Sequence, residues 1–520
     1  MYGELYRRLD ALALLDGSAL LANGLKGLEK ESLRVTENGS ISTAPHPRAL
    51  GSALTHPYIT TDYSEALLEL ITPPSPRNAD TLAFLERTHR FVYEGLESEL
   101  LWATSMPCAV AGDESIPIAD YGSSNSGMMR HIYRRGLAHR YGRVMQVISG
   151  VHYNYSVALE AWPALQAADQ ADGDLDSYIS ERYFGMVRNV LRYGWLLLYL
   201  FGASPALCKS FLGKSSDRFQ AFDGSTRYEP YATSLRMSDI GYTNSTQVAL
   251  DVRYDDLDTY VASLRRAIET PHPEYERLGV KVGGEYRQLN ANILQIENEF
   301  YSVVRPKQIT ERGEKPTTAL SRRGVAYVEV RSLDVNPFAN AGVDLEQLEF
   351  MELFMLFCLL HESPVLSEDE RAAVEANVAA VATRGRDPDI ELRRADGNVA
   401  LRTWGNEIIG ELCTIVDAIP GLQGSRPAVE TMRERLKEPE STLSARMLAE
   451  MREGSMTFFH YALRESLQRQ REALDVGLPK PVKAEYESWA HDSLAAQAEL
   501  ERSDSMSFEA YLEAYFQGQR

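Results

Sequence analysis

The sequence predicts an α+β fold. Strand-like segments of period two recur as far as Leu333, helical spacing takes over almost completely beyond Val343, and no linker separates the two regions. Residues 27–35 and 66–72 read as strands, and Pro73-Pro74-Ser75-Pro76 ends the second because proline donates nothing to a sheet ladder. Residues 80–100 have helical apolar spacing. The Gly-, Ser-, Pro- and Asn-rich stretch 105–127 reads as an active-site loop or lid, followed by a helix over 128–141. A strand is predicted over 144–155, a long apolar helix over 178–201, an amphipathic helix over 257–270, and strands over 289–304 and 325–333. We expect a catalytic region over residues 1–360 with a helical subdomain, 361–520, packed on it.

Lys and Arg total 54 against 74 Asp and Glu in 520 residues, a formal net charge of −20. That balance argues against a nucleic-acid binder, and it requires a bound nucleotide to arrive with its cation and meet clustered Arg or Lys. Cys108, Cys208, Cys358 and Cys413 lie far apart without a C-x-x-C pair, so neither a zinc site nor a disulfide is expected, and the reducing cytoplasm is the expected compartment. No secretory leader is recognisable, and the longest apolar run, from Trp195 to Ala203, is about half of the ~20 residues a membrane span needs.

Carboxylates recur in the strand-like segments. In Gly27-Leu28-Glu29-Lys30-Glu31, period two puts Glu29 and Glu31 on one face, ~7 Å apart along the strand, where like charges repel unless a cation lies between them. Glu69 sits in an apolar strand preceded by Asp62, and a carboxylate there is costly to bury without a partner. His152 lies in Ser149-Gly150-Val151-His152-Tyr153-Asn154, with Gly150 permitting close backbone approach. In Tyr327-Val328-Glu329-Val330-Arg331, the valines face the core while Glu329 and Arg331 share the other face, where one holds a cation and the other clamps a carboxylate bidentately. Gln295, Glu297, Glu299 and Tyr301 line one face of their predicted strand, with Arg305 and Lys307 following within reach of phosphates. Each segment alone also fits a bland reading: an exposed edge strand, a buried salt bridge, a core histidine, a cross-strand ion pair. Together they read as an oxygen-rich cage suited to Mg²⁺, with the imidazole admitting Mn²⁺. The run Cys208 to Ser215 ends like a phosphate-binding loop, but Cys208 stands where its first glycine is required.

These segments, with Gly51-Ser52-Ala53-Leu54-Thr55-His56, Pro230-Tyr231-Ala232-Thr233-Ser234-Leu235-Arg236, Leu294-Gln295-Ile296-Glu297-Asn298-Glu299 and Glu329-Val330-Arg331-Ser332-Leu333-Asp334, resemble the proteobacterial type of glutamate–cysteine ligase, collinearly over residues 20–360. The resemblance implies a glutamine synthetase-like curved, mostly antiparallel sheet cradling the active site. It also implies ATP-dependent joining of the L-glutamate γ-carboxylate to L-cysteine through a γ-glutamyl phosphate, the first step of glutathione synthesis. By matching motif it implies Glu29, Glu31, Asp62, Glu69, His152 and Glu329 as metal ligands. Arg331 is the implied clamp on glutamate or phosphate, Arg236 the group facing the acyl phosphate, and Arg134 a phosphate contact. Tyr63, Tyr133, Leu137, Gln146, Tyr242 and Tyr301 are the implied cysteine pocket, Tyr63 standing where phenylalanine is expected. A monomer and feedback inhibition by glutathione are implied by the family alone. The rival readings are a γ-glutamyl ligase of the same fold using another amine, a metal-dependent phosphohydrolase, and a non-catalytic amino acid or nucleotide sensor, which should have lost some of these carboxylates.

Overall fold

The computed structural model describes residues 3–240, 250–311 and 313–518. Seven strands form the main sheet: β1 (Leu25–Thr36), β2 (Ile59–Thr61), β3 (Leu67–Ile71), β4 (Glu99–Leu101), β5 (Gly150–Ser156), β6 (Val304–Lys307) and β7 (Tyr327–Asp334). Their order is β6-β7-β5-β1-β3-β2, with β4 pairing the far end of β1, and every pairing is antiparallel. The expected antiparallel sheet is therefore present, and β1 lies between the two strands that carry the histidine and Glu69.

One face of the sheet is apolar and buried. Leu28, Tyr153, Tyr155, Val328 and Val330 pack in one cluster with residues of the helices behind them. The helices used below are α1 (Gly3–Leu14), α2 (Asn78–Gly95), α3 (Asn125–Tyr141), α4 (Leu175–Tyr193), α5 (Trp195–Phe201), α6 (Leu345–Leu360), α7 (Lys480–Ser503) and α8 (Phe508–Phe516). The long helix expected over 178–201 is two helices joined at Gly194, and all of α5 is buried. Helix α6 is buried along nearly its whole length, which follows from its lack of a polar stripe. Asp344 caps α6 and Ser124 caps α3, each side chain accepting a backbone N–H of the first turn.

Beyond α6 the chain is helical apart from one hairpin, Glu391–Arg394 with Gly397–Ala400. The same apolar cluster that contains Leu28 extends to Ile408, Leu412 and Tyr486. Helix α7 returns to α2, where Tyr486 Oη lies 2.8 Å from Thr88 Oγ1. No helix among the described residues is long and apolar enough to cross a membrane.

Three further expectations need correcting. The strand predicted over 144–155 begins only at Gly150, and Val144–Val147 form a short helical turn instead. Residues 289–304 are not a strand: they run irregularly with a single short helical turn, Glu297–Glu299, and extended pairing starts only at Val304. The side chains there bond inward instead, Glu299 to Arg140 at 2.9 Å and Glu297 to the Thr317 hydroxyl at 2.6 Å, so neither joins the other carboxylates. Cys108 and Cys208 form a disulfide across 100 residues of sequence, a pairing that no local spacing announces. The stretch 105–127, largely irregular as far as α3, is a strap pinned at several points. The bridge holds it to the strand Ala206–Cys208, Glu65 accepts the Asp120 N–H at 2.8 Å, and Tyr121 donates to the Thr61 carbonyl at 2.8 Å.

Candidate functional site

The opposite face of the sheet gathers the ionisable residues. Antiparallel register places Glu29 opposite His152, Glu31 opposite Glu69 and Glu329 opposite Asn154. Registered residues share a face, so one row of side chains crosses β7, β5, β1 and β3. Glu29, His152 and Glu329 each offer one donor atom, and these atoms lie within 4.8 Å of one another. His152 Nδ1 is 3.1 Å from Glu29 Oε2, and its Nε2 is 3.7 Å from Glu31 Oε1. Asp62 follows β2 directly, and its charge acts on Glu31 and Glu69.

Burial raises the Glu31 and Glu69 carboxyls, and for Glu69 the nearby charges of Glu29, Asp62 and Glu31 push it well above the usual range. Such a group holds a proton unless a cation replaces it. Glu329 is the contrary case: burial works against its charge, but Lys307 and Arg331 outweigh it and hold the carboxyl well below the usual range. Lys307 Nζ is 3.3 Å from Glu329 Oε1 and Arg331 Nη1 is 3.2 Å from Oε2. Oxygen ligands in excess with one imidazole fit a hard divalent cation.

Arg236 and Arg331 lie beside this row. Arg236 is 3% exposed, its Nη2 donates to the Arg331 carbonyl at 3.0 Å, and Nη1 is 3.8 Å from Asp334 Oδ1. Gly150 makes the approach possible, since a Cβ there would stand 2.1 Å from Arg236 Nη2, and its N–H donates to Glu31 Oε2 at 2.6 Å. A cavity of about 780 Å³ opens on the Arg236 side, lined by Met237, Tyr301 and Ser302 among others.

The remaining expected residues divide. Tyr63 and Leu137 lie in one buried cluster, with Tyr133 packed against it. Gln146 is buried in the turn Val144–Val147 before β5, and Tyr301 Oη lies 3.7 Å from Met237 Sδ. Tyr242 lies outside the described residues. Arg305 stands opposite Glu329 in register and shares its face, while its Nη2 donates to the carbonyls of Asn298 and Phe300 and fixes the turn before β6; Lys307 is the cation of that strand that pairs with Glu329 directly. Arg134 donates through Nε to the Asp62 carbonyl and stacks 4.7 Å over Tyr121, which ties α3 to the Asp62 turn.

Two contributors were not singled out from sequence. Asn154 Nδ2 donates to Glu29 Oε1 at 2.9 Å; period two from His152 places it on the same face. Asp334 accepts from Ala203 N at 2.8 Å, Ser204 Oγ at 2.6 Å and Ser234 Oγ at 3.0 Å and backs Arg236. Strict alternation does not predict it, because the β7–β5 register shifts between Val330 and Leu333.

Comparison with known proteins supplies an independent line. The family model for glutamate-cysteine ligase matches residues 9–381. The glutamate–cysteine ligase of Alcanivorax borkumensis is 47% identical over 99% of both chains, and that of Azotobacter vinelandii 47% identical over 98% of this chain and 97% of its own. The crystal structure of the Francisella tularensis glutamate–cysteine ligase in complex with AMP superposes with a TM-score of 0.90 at 36% identity, over 96% of this chain and 98% of that one. A bifunctional glutathione synthetase from Pasteurella multocida superposes with a TM-score of 0.70 at 28% identity, covering 89% of this chain and 54% of that one.

Proposed function

The chain belongs to the glutamate–cysteine ligase family, and we propose that the carboxylate face of its sheet carries out that family's reaction with the residues described above. The reaction joins the γ-carboxylate of L-glutamate to the amine of L-cysteine at the expense of ATP, giving γ-glutamylcysteine for glutathione synthesis. The observation that carries this reading is the convergence of Glu29, His152 and Glu329 within 4.8 Å beside two arginines.

A carboxylate is a poor acyl donor, and transfer of the ATP γ-phosphoryl group to its oxygen creates a leaving group. Phosphoryl transfer is chiefly positioning and charge neutralisation. Glu29, His152 and Glu329, with Glu31, Asp62 and Glu69 alongside, are the residues to hold Mg²⁺ or Mn²⁺. A divalent cation there offsets the charge of the nucleotide phosphates. Arg331 holds a glutamate carboxylate through its planar fork while its pairing to Glu329 fixes the guanidinium. Arg236 faces the acyl phosphate; the cysteine amine attacks its carbonyl carbon, the C–N bond forms, the C–O bond to phosphate breaks, and the amine proton passes to the departing phosphate. Tyr63, Tyr133, Leu137, Gln146, Tyr242 and Tyr301 form the cysteine pocket, and Lys307 meets phosphate. The strap 105–127 excludes water, which would otherwise hydrolyse the intermediate.

Residues 1–360 carry this machinery and 361–520 buttress it. ATP, glutamate and cysteine are the partners, with glutathione as an end-product inhibitor and a monomer as the working unit; the need for ATP favours the cytoplasm, although the Cys108–Cys208 bridge removes the cysteine argument for it. The test is ADP release with MgATP and L-glutamate, with and without L-cysteine, products identified by mass. Cysteine-dependent release with a stoichiometric γ-linked dipeptide is expected. Release that ignores cysteine would point to a phosphohydrolase, and dipeptide formed only with another amine would reject cysteine as the substrate.

A further inference from the structure

We propose that the last helix, α8, and the turn before it are positioning elements for the amine substrate, acting through α3. The proposal rests on the reading above that α3 supplies Tyr133 and Leu137 to the cysteine pocket.

Helix α3 is held at its start by residues more than three hundred positions away. The Asp504 carboxylate accepts the Asn125 N–H, the Met506 carbonyl accepts Asn125 Nδ2 at 3.0 Å, and Glu501 Oε1 accepts the Ser123 N–H at 3.0 Å. An anion at a helix N-terminus is favourable because it meets unsatisfied N–H groups and the positive end of the dipole. Along its length, Met129 and Ile132 of α3 pack with Phe508, Tyr511, Leu512 and Tyr515 of α8 in a cluster separate from the main core. Tyr133 touches this cluster and also the one containing Tyr63 and Leu137. It is the mechanical link between the terminal helix and the pocket. The other flank of α3 is rigid: Gln295 Nε2 donates to the Tyr133 carbonyl at 3.2 Å, and Arg140 bonds Glu299 at 2.9 Å. Lys315 Nζ in turn donates to the Phe516 carbonyl at 2.8 Å, tying the end of α8 to the catalytic region.

Glu29, Glu31, Glu69, Glu329, His152 and Arg331 stand on β1, β3, β5 and β7, none of which packs in the α8 cluster. Loosening α8 therefore acts first on the α3 side of the pocket, and it reaches the metal side only through the Arg134 bond to the Asp62 carbonyl. A displacement of about 1 Å in a substrate-positioning element costs on the order of a hundredfold, and a partial one about tenfold.

The experiment measures KM and kcat for all three substrates in the full chain, for Phe508→Ala with Leu512→Ala, for Asp504→Asn, and for Leu137→Ala. The double variant is expected to raise the cysteine KM about tenfold, and Asp504→Asn about threefold, with smaller changes in the glutamate and ATP constants; Phe508→Leu recovers most of the loss. Asp504 is exposed, so its variant keeps the question answerable where the double variant does not fold. If Leu137→Ala raises the cysteine KM but the α8 variants do not, or if all three KM values move together, the proposal is overturned. If Leu137→Ala itself leaves the cysteine KM unchanged, the assignment of the pocket to α3 fails first and the proposal falls with it.

Discussion

Glu29 and His152 face each other across the β1–β5 ladder, in direct register and with Nδ1 and Oε2 3.1 Å apart. The pair lies at the centre of the sheet, with Glu329 one strand away on β7 and Glu69 one strand away on β3. Because the ladder fixes both backbones, the two donor atoms are set before any ligand arrives, which lowers the ordering cost of binding a cation.

Arg331→Lys damages glutamate use more than ATP use. A point charge cannot reproduce the planar fork that both pairs with Glu329 and grips a carboxylate. Steady-state kinetics with each substrate varied in turn should show kcat/KM for glutamate falling by about 10- to 100-fold, with the ATP constant little changed. Equal losses would remove Arg331 from the glutamate contact.

Gly150→Ala disables the site without unfolding the chain. The added methyl group would stand 2.1 Å from Arg236 Nη2, so the guanidinium must move away from the Arg331 carbonyl. We expect turnover to fall at least tenfold, an effect of about 1.4 kcal/mol, while the melting temperature changes by only a few degrees. A fully active Gly150→Ala enzyme would show that the position of Arg236 is unimportant.

His56 makes the fold sensitive to acid. Its Nδ1 accepts the N–H groups of Tyr58 at 3.1 Å and Ile59 at 2.9 Å, an arrangement open only to the neutral ring, and burial lowers its pKa from 6.5 to about 4. The unfolded chain binds a proton below the ordinary value while the folded one does not. Stability is therefore full above about pH 6.5 and declines as pH falls toward 4, by about 2 kcal/mol at pH 5 from this group. His56→Asn keeps an acceptor and does not titrate. Urea unfolding at pH 7.5 and pH 5 should show a smaller acid loss for the variant; identical losses would exclude His56 as a source.

The sheet and its ionisable face were legible because period two and burial act together: Glu29, Glu31 and Glu329 fall on the expected side, opposite Leu28, Val328 and Val330. The sequence was misleading where pairing depends on distant partners. Residues 289–304 are rich in residues of strand character, but Gln295, Glu297 and Glu299 are consumed by side-chain bonds to α3 and Thr317, and among the described residues the segment pairs only through an isolated bridge of Asn292 with Pro271 before Val304. The Cys108–Cys208 bridge joins positions that only the fold brings together, and the role of Asp334 depends on a register shift that no alternation reveals. Arg134, implied by matching motif, and Arg305, read from its place after a predicted strand, both also donate to backbone carbonyls, acceptors that a sequence does not display.

The most direct test of the account is Mn²⁺ binding, followed by electron paramagnetic resonance, to the wild-type chain and to Glu329→Gln. Gln retains the shape of Glu but loses the charged donor among Glu29, His152 and Glu329. The account predicts that Glu329→Gln binds Mn²⁺ at least about tenfold more weakly at one site, with turnover reduced by orders of magnitude and the fold intact. Unchanged Mn²⁺ affinity and stoichiometry in a folded Glu329→Gln protein would contradict it.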